Sequence, residues 1–182
     1  MKKLLALLAV ALLVVGCQAD TDDASTSDNT EDVTVADEKQ QEINTMIEDG
    51  HYFEINGALT ALTDADLTKE EIDTIKAETA EKLITEVDAL SESFMSGDLD
   101  VNTYSNTLTD FEIIELDGVP EKAAEARTNN SEMITSRQAF KDGEKFFEIE
   151  YYDMAKIEFE KVIDSDVHYE DAQARLEELN NM

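Results

Sequence analysis

One thiol, two imidazoles and a large excess of carboxylates are the groups that could do chemistry in this chain. Its 182 residues hold a single Cys, two His and 44 Asp plus Glu. Cys17 stands where a greasy run ends and an acidic one begins, in LLVVGCQADTDD, residues 12–23. With no second Cys it closes no disulfide within the chain, and cysteine usage says nothing of redox compartment. Two carboxylate series invite a calcium reading. Asp98-x-Asp100-x-Asn102 starts like an EF-hand loop, but Thr103 stands where the turn needs Gly and Thr109 where a bidentate Glu belongs. Asp64-x-Asp66-x-Thr68 fails in the same way, with Lys69 and Ile75 at those places. His51 and His168 lie at helix junctions beside Tyr52 and Tyr169, without the paired His, Cys or carboxylate spacing of a zinc site. There is no Gly-rich phosphate loop and no nucleophile elbow, and no carboxylate dyad stands out from solvated helix faces. The expectation is a protein without catalytic, cofactor or metal residues.

The elements around Cys17 account for its place. Met1-Lys2-Lys3 is cationic, and the twelve apolar residues Leu4 to Val15 follow it. As a helix they would span about 18 Å, short of the ~30 Å hydrocarbon core. A cationic flank, a short apolar core and a small residue at its end describe a secretory signal rather than a membrane span. Val14-Val15-Gly16-Cys17 then resembles the bacterial lipobox, with Val where Leu is commonest. The resemblance implies cleavage between Gly16 and Cys17, a diacylglycerol thioether on Cys17 and often a third acyl chain on its amine. Two or more chains anchor stably, at ~0.8 kcal/mol per buried CH₂. An ordinary secreted protein with a free Cys near its new terminus is the competing reading. The resemblance places the mature protein on the extracytoplasmic face of the cell membrane. Gln18 after the Cys permits outer-membrane sorting in a Gram-negative cell and carries no sorting message in a Gram-positive one.

The formal charge is −30, and losing residues 1–16 with Lys2 and Lys3 makes it more negative still. Binding to phosphate backbones or anionic lipid heads relies on clustered Lys and Arg, so nucleic acid is not expected as a partner; the acidity fits a salty habitat or a cationic partner alike. Residues 18–37 carry seven acidic groups, no basic one and no apolar period. They read as a disordered, self-repelling tether reaching at most about 70 Å. The remainder, 38–182, suits one domain, and its single Pro and scarce Gly point to an all-α fold.

Near the C-terminus, FKDGEKFFEIEYYDMAKIEFEKVIDSDVHYEDAQARLEEL resembles a tetratricopeptide repeat. Gly143 falls at the small position of the first helix, with Phe146 and Phe147 a turn on. Tyr152, Ala155, Phe159 and Val162 take the second helix's positions, and Ala172 and Leu176 begin a further first helix. The usual Pro is replaced by Val167 and the first-helix Trp by Ala139. What the resemblance implies is a stack of helical hairpins, an α-solenoid that binds protein or peptide. The +3, +4, +3 spacing also holds Tyr52, Ile55, Leu59 and Leu62, and again Val101, Tyr104, Leu108 and Phe111. The offsets give a period near 50 instead of 34. Thr68-Lys69-Glu70-Glu71 is a capping box, and Pro120 suits a first helical turn. Expected pairs are 39–49 with 52–63, 68–96 with 101–114, and 120–149 with 151–163, followed by 169–180. Asn129-Asn130-Ser131 threatens the third long helix, since Asn and Ser are poor interior residues. A plain helical bundle would show the same spacing.

In the aromatic cluster Phe140, Phe146, Phe147, Tyr151, Tyr152, Phe159 and Tyr169, five of the seven match repeat-packing roles and are expected in the core, and Tyr151 is expected at the surface, as a candidate partner contact. The expected function is a lipid-anchored, non-catalytic interaction scaffold of the cell envelope. The alternatives are a solute-handling, ligand-binding lipoprotein and an accessory factor of a cell-wall enzyme.

Overall fold

The first helix begins inside the segment read as tether. The computed structural model describes residues 33–182, and α1 spans Val35–Glu48. Thr34 accepts the Asp37 N–H at 3.2 Å, while the Asp37 carboxylate accepts the Thr34 N–H at 2.9 Å. Thr-x-x-Asp is a reciprocal cap that satisfies two orphan donors, so the expected tether gives way to folded chain before residue 37. Composition hid this, because TVAD looks like the acidic residues before it.

Gly50, with φ +74°, ends the turn after α1. The expected helix 52–63 is divided into a 3₁₀ turn at Tyr52–Glu54, α2 over Ile55–Ala61 and a second 3₁₀ turn at Leu62–Asp64. Asn56, Gly57, Thr60 and Thr63 are weak helix formers. Asn56 also spends its amide elsewhere: it donates to the Ile113 carbonyl at 2.7 Å and accepts the Glu115 N–H at 2.8 Å. Helix α3 runs over Lys69–Ser96, about 42 Å long. Thr68 and Glu71 form the expected capping box at its start. At its end Gly97 takes φ +90°, with the Val167 side chain 2.9 Å from where a Cβ would stand. Only Gly fits both conditions.

Helix α4 covers Val101–Glu112, α5 Val119–Asn129 with Pro120 in its first turn, and α6 Ser131–Glu148. The break between α5 and α6 falls at Asn130, where it was expected. There the Asn130 side chain donates to the Tyr104 hydroxyl at 2.7 Å. Helix α7 spans Tyr152–Phe159, ending earlier than the expected 163, and α8 spans Tyr169–Asn180. The fold is all-α, with no strand among the described residues.

All three four-residue ladders face inward. Ile55, Leu59, Leu62, Val101, Tyr104, Leu108, Phe111, Ala155, Phe159 and Val162 are buried, and Tyr52 and Tyr152 are half-buried. The principal contacts join α1 to α3, α3 to α4 and α5, α4 to α5, α6 to α7 and α7 to α8. Two apolar clusters result. The larger gathers residues from Ile43 to Met133, and the smaller is built on Ala139, Ala155, Phe159, Val162 and Ala172. Gly143 lets α6 and α7 meet, since a Cβ there would lie 2.7 Å from the Phe159 ring.

Candidate functional site

Gly16 and Cys17, the cleavage and lipid-attachment residues expected from the sequence, lie outside the described residues. Within residues 33–182 the carboxylates of the Asp98 and Asp100 series serve helix ends. Asp100 is the N-cap of α4 and accepts the N–H groups of Asn102 and Thr103 at 3.0 and 3.2 Å. The Thr103 hydroxyl and these backbone donors hold the Asp100 carboxyl below its ordinary value. Asp98 accepts the Ser96 hydroxyl at 2.8 Å. Among the described residues no three His, Cys, Asp or Glu side chains are grouped to hold a metal ion, and no helix is long and apolar enough to cross a membrane.

Both histidines sit at helix entries. His51 is exposed before the first 3₁₀ turn. His168 precedes α8, and its ring stacks on Phe140 at 4.4 Å, within 1° of parallel.

Tyr151 is 62 % exposed. Glu150 before it takes φ +62°, turning the chain sharply out of α6. Helical periodicity then divides two adjacent tyrosines. Tyr152 turns inward and meets the Phe147 ring edge-on at 5.7 Å, while Tyr151 opens an outward line continued by Met154 and Ile157, with Ile149 nearby in sequence. The sequence reading singled out Tyr151 alone; the +3, +3 spacing of Met154 and Ile157 behind it was the available signal.

A cleft runs between α1 and α3. Asn44, Ile47 and Glu48 line it from α1, facing Glu78, Glu81, Lys82, Thr85 and Glu86 of α3. A second hollow continues it toward the start of both helices, lined by Asp37, Gln40, Glu70 and Glu71 among others. Among the described residues, Glu48, Glu70, Glu78, Glu81 and Glu86 belong to none of the ion pairs. Burial first, then the Glu86 charge, pushes the nearby Tyr52 hydroxyl up. Lys82 is the base in this lining, and the bases that join one helix to another lie away from it. Arg127 pairs with Glu112 at 2.7 Å, Arg175 with Glu144 at 2.8 Å and Lys122 with Asp88 at 2.7 Å. The sequence carries this asymmetry openly: residues 33–100 hold 18 carboxylates and four lysines, residues 101–182 hold 20 and eight bases.

Arg137 and Asp166, both buried, were not singled out by the sequence reading. Arg137 sits among the apolar positions of α6 between Met133 and Phe140, an unusual place for a charge.

No protein-family model, no curated protein and no solved structure matches this chain.

Proposed function

We propose that this protein is a lipid-anchored, non-catalytic scaffold on the extracytoplasmic face of a bacterial membrane, its helices stacked as tetratricopeptide-like hairpins. The observation that carries the reading is the pattern of helix contacts: α1 on α3, α3 on α4 and α5, α4 on α5, α6 on α7, α7 on α8. A stack of pairs packs in this neighbour-to-neighbour way because one pair cannot bury its own apolar face. The equivalent burial of the three ladders, and the closeness of Gly143 to Phe159, support it. Support for the anchor comes from the sequence, where the lone Cys17 follows Val-Val-Gly at the end of a signal-like segment. The unpaired carboxylates between α1 and α3 favour a cationic protein segment as partner. The lipid would concentrate the protein at the surface, and the acidic linker would set its reach.

One experiment in intact cells tests both parts. A photo-crosslinking side chain is placed at Glu81 or at Tyr151, in the natural protein and in a Cys17→Ser background. The expected result is a protein adduct from the anchored form that fades as salt rises, together with acyl chains on Cys17 by mass spectrometry and none in the Cys17→Ser form. No adduct at either position would overturn the scaffold. An unacylated mature Cys17 would overturn the anchor.

A further inference from the structure

The two apolar clusters meet at a polar turn of α6. Met133 belongs to the first cluster and Ala139 to the second, and between them stand Ser136 and Arg137, both buried. The Arg137 guanidinium reaches back to the last turn of α3. Its Nη1 and Nη2 donate to the carbonyls of Phe94 and Met95, the latter at 3.0 Å, and its centre lies 4.4 Å over the Phe94 ring. Both carbonyls stand at the negative pole of the helix dipole, and that of Phe94 also accepts the Gly97 N–H at 3.1 Å.

Asp166, in the loop between α7 and α8, faces this cation. Its Oδ1 lies 3.5 Å from Arg137 Nε, at ion-pair range but without a hydrogen bond. The rest of the carboxylate is fully engaged: Oδ2 accepts the Ser136 hydroxyl at 2.6 Å, and Oδ1 accepts the His168 N–H at 3.1 Å. Ser136 Oγ in turn accepts the Ile163 N–H at 3.1 Å. The next two loop residues hold on separately, with Val167 over Gly97 and His168 stacked on Phe140. Apolar contact from this segment to the larger cluster comes from Ile163, which is only half-buried.

We propose that Arg137 and Asp166 form a latch that fastens the C-terminal body, residues 138–182, to the end of α3, and that this body opens as a unit about the polar turn of α6 when the latch is cut. The body has its own cluster, and the joint is crossed by polar groups where a continuous core would have apolar ones. Removing one charge leaves the other buried and uncompensated, and swinging the body away is how the orphan reaches water. The outward line Tyr151, Met154 and Ile157 belongs to the body that moves, so the latch also sets where that face stands. This inference rests on the contacts around Arg137 and Asp166 and does not depend on the lipid anchor or the partner.

Hydrogen exchange on the full chain tests it. In Arg137→Met, amides of α7 and α8 are expected to exchange on the order of 100-fold faster, while those of α1, α4 and the first half of α3 keep their rates. Ser136→Ala should give a smaller rise in the same two helices. The double variant Arg137→Met with Asp166→Leu, which leaves no orphan charge, should return them to within about tenfold of the natural protein. Should Arg137→Met fail to fold, Ser136→Ala and the double variant carry the same readout. Equal acceleration in every helix, unchanged rates in α7 and α8, or a double variant that sums two losses would each overturn the latch.

Discussion

At the scale of single residues the packing is decided by side chains that are missing. Gly143 has no Cβ because the Phe159 ring occupies that space, with two ring carbons 2.7 Å from where it would stand. Phe159 is wholly buried and cannot yield like a flexible chain end. Two effects oppose each other in Gly143→Ala. Helix propensity gains about 1 kcal/mol, whereas overpacking a filled core costs about 1–3 kcal/mol. With the ring this close overpacking wins, and we expect a net loss of up to about 2 kcal/mol, read as a lower urea midpoint at unchanged m-value. This pairing was legible in the sequence, since Gly143 and Phe159 are the small and aromatic positions of one motif. The Ser136–Asp166 bond was not. Its partners lie thirty residues apart, and no local period marks which of many acids will meet a given hydroxyl.

At the scale of helices the capping residues carry the boundaries. Asp37, Glu71 and Asp100 each sit in the first turn or N-cap of a helix, and each carboxyl is held below its ordinary value, by bonds from Thr34, Thr68 and Thr103 respectively. A lowered carboxyl contributes stability that is present above its unfolded value of about 4 and is lost as pH falls through the lower folded one. The first turns of α1, α3 and α4 should therefore loosen below about pH 4 while the helix centres hold. Amide exchange of residues 36–38, 70–72 and 102–104, followed by NMR across that range, reads this directly. Thr68→Ala should loosen the start of α3 already at neutral pH and cost about 1 kcal/mol. Helix positions were legible because caps, left-handed glycines and the apolar period agree. The break-up of 52–63 was hidden because the ladder Tyr52, Ile55, Leu59 and Leu62 keeps its face through 3₁₀ and α turns alike. The start of α1 was hidden because Thr34-x-x-Asp37 lies in an acidic stretch.

At the scale of the whole molecule, buried apolar clusters oppose the self-repulsion of a chain with net charge −30. The helical class was legible from composition, with one Pro, few Gly and no alternating pattern. What composition conceals is how unevenly the few bases are spent. Arg127, Lys122 and Arg175 each tie one helix to another. In α1 and α3 the ion pairs of Lys39 with Glu42 and Lys69 with Asp73 stay within a single helix.

That unevenness gives the ionic atmosphere a direction. Dissolved cations are expected to gather where fixed negative charge is least answered, along the facing sides of α1 and α3. A simple electrolyte is then expected to screen the repulsion between these two helices more than it does farther along the chain. Raising sodium chloride from 20 to about 300 mM, over which the Debye length shrinks from roughly 20 to 6 Å, should slow amide exchange in α1 more than in α8. Equal slowing at both ends would mean that the repulsion is shared evenly after all.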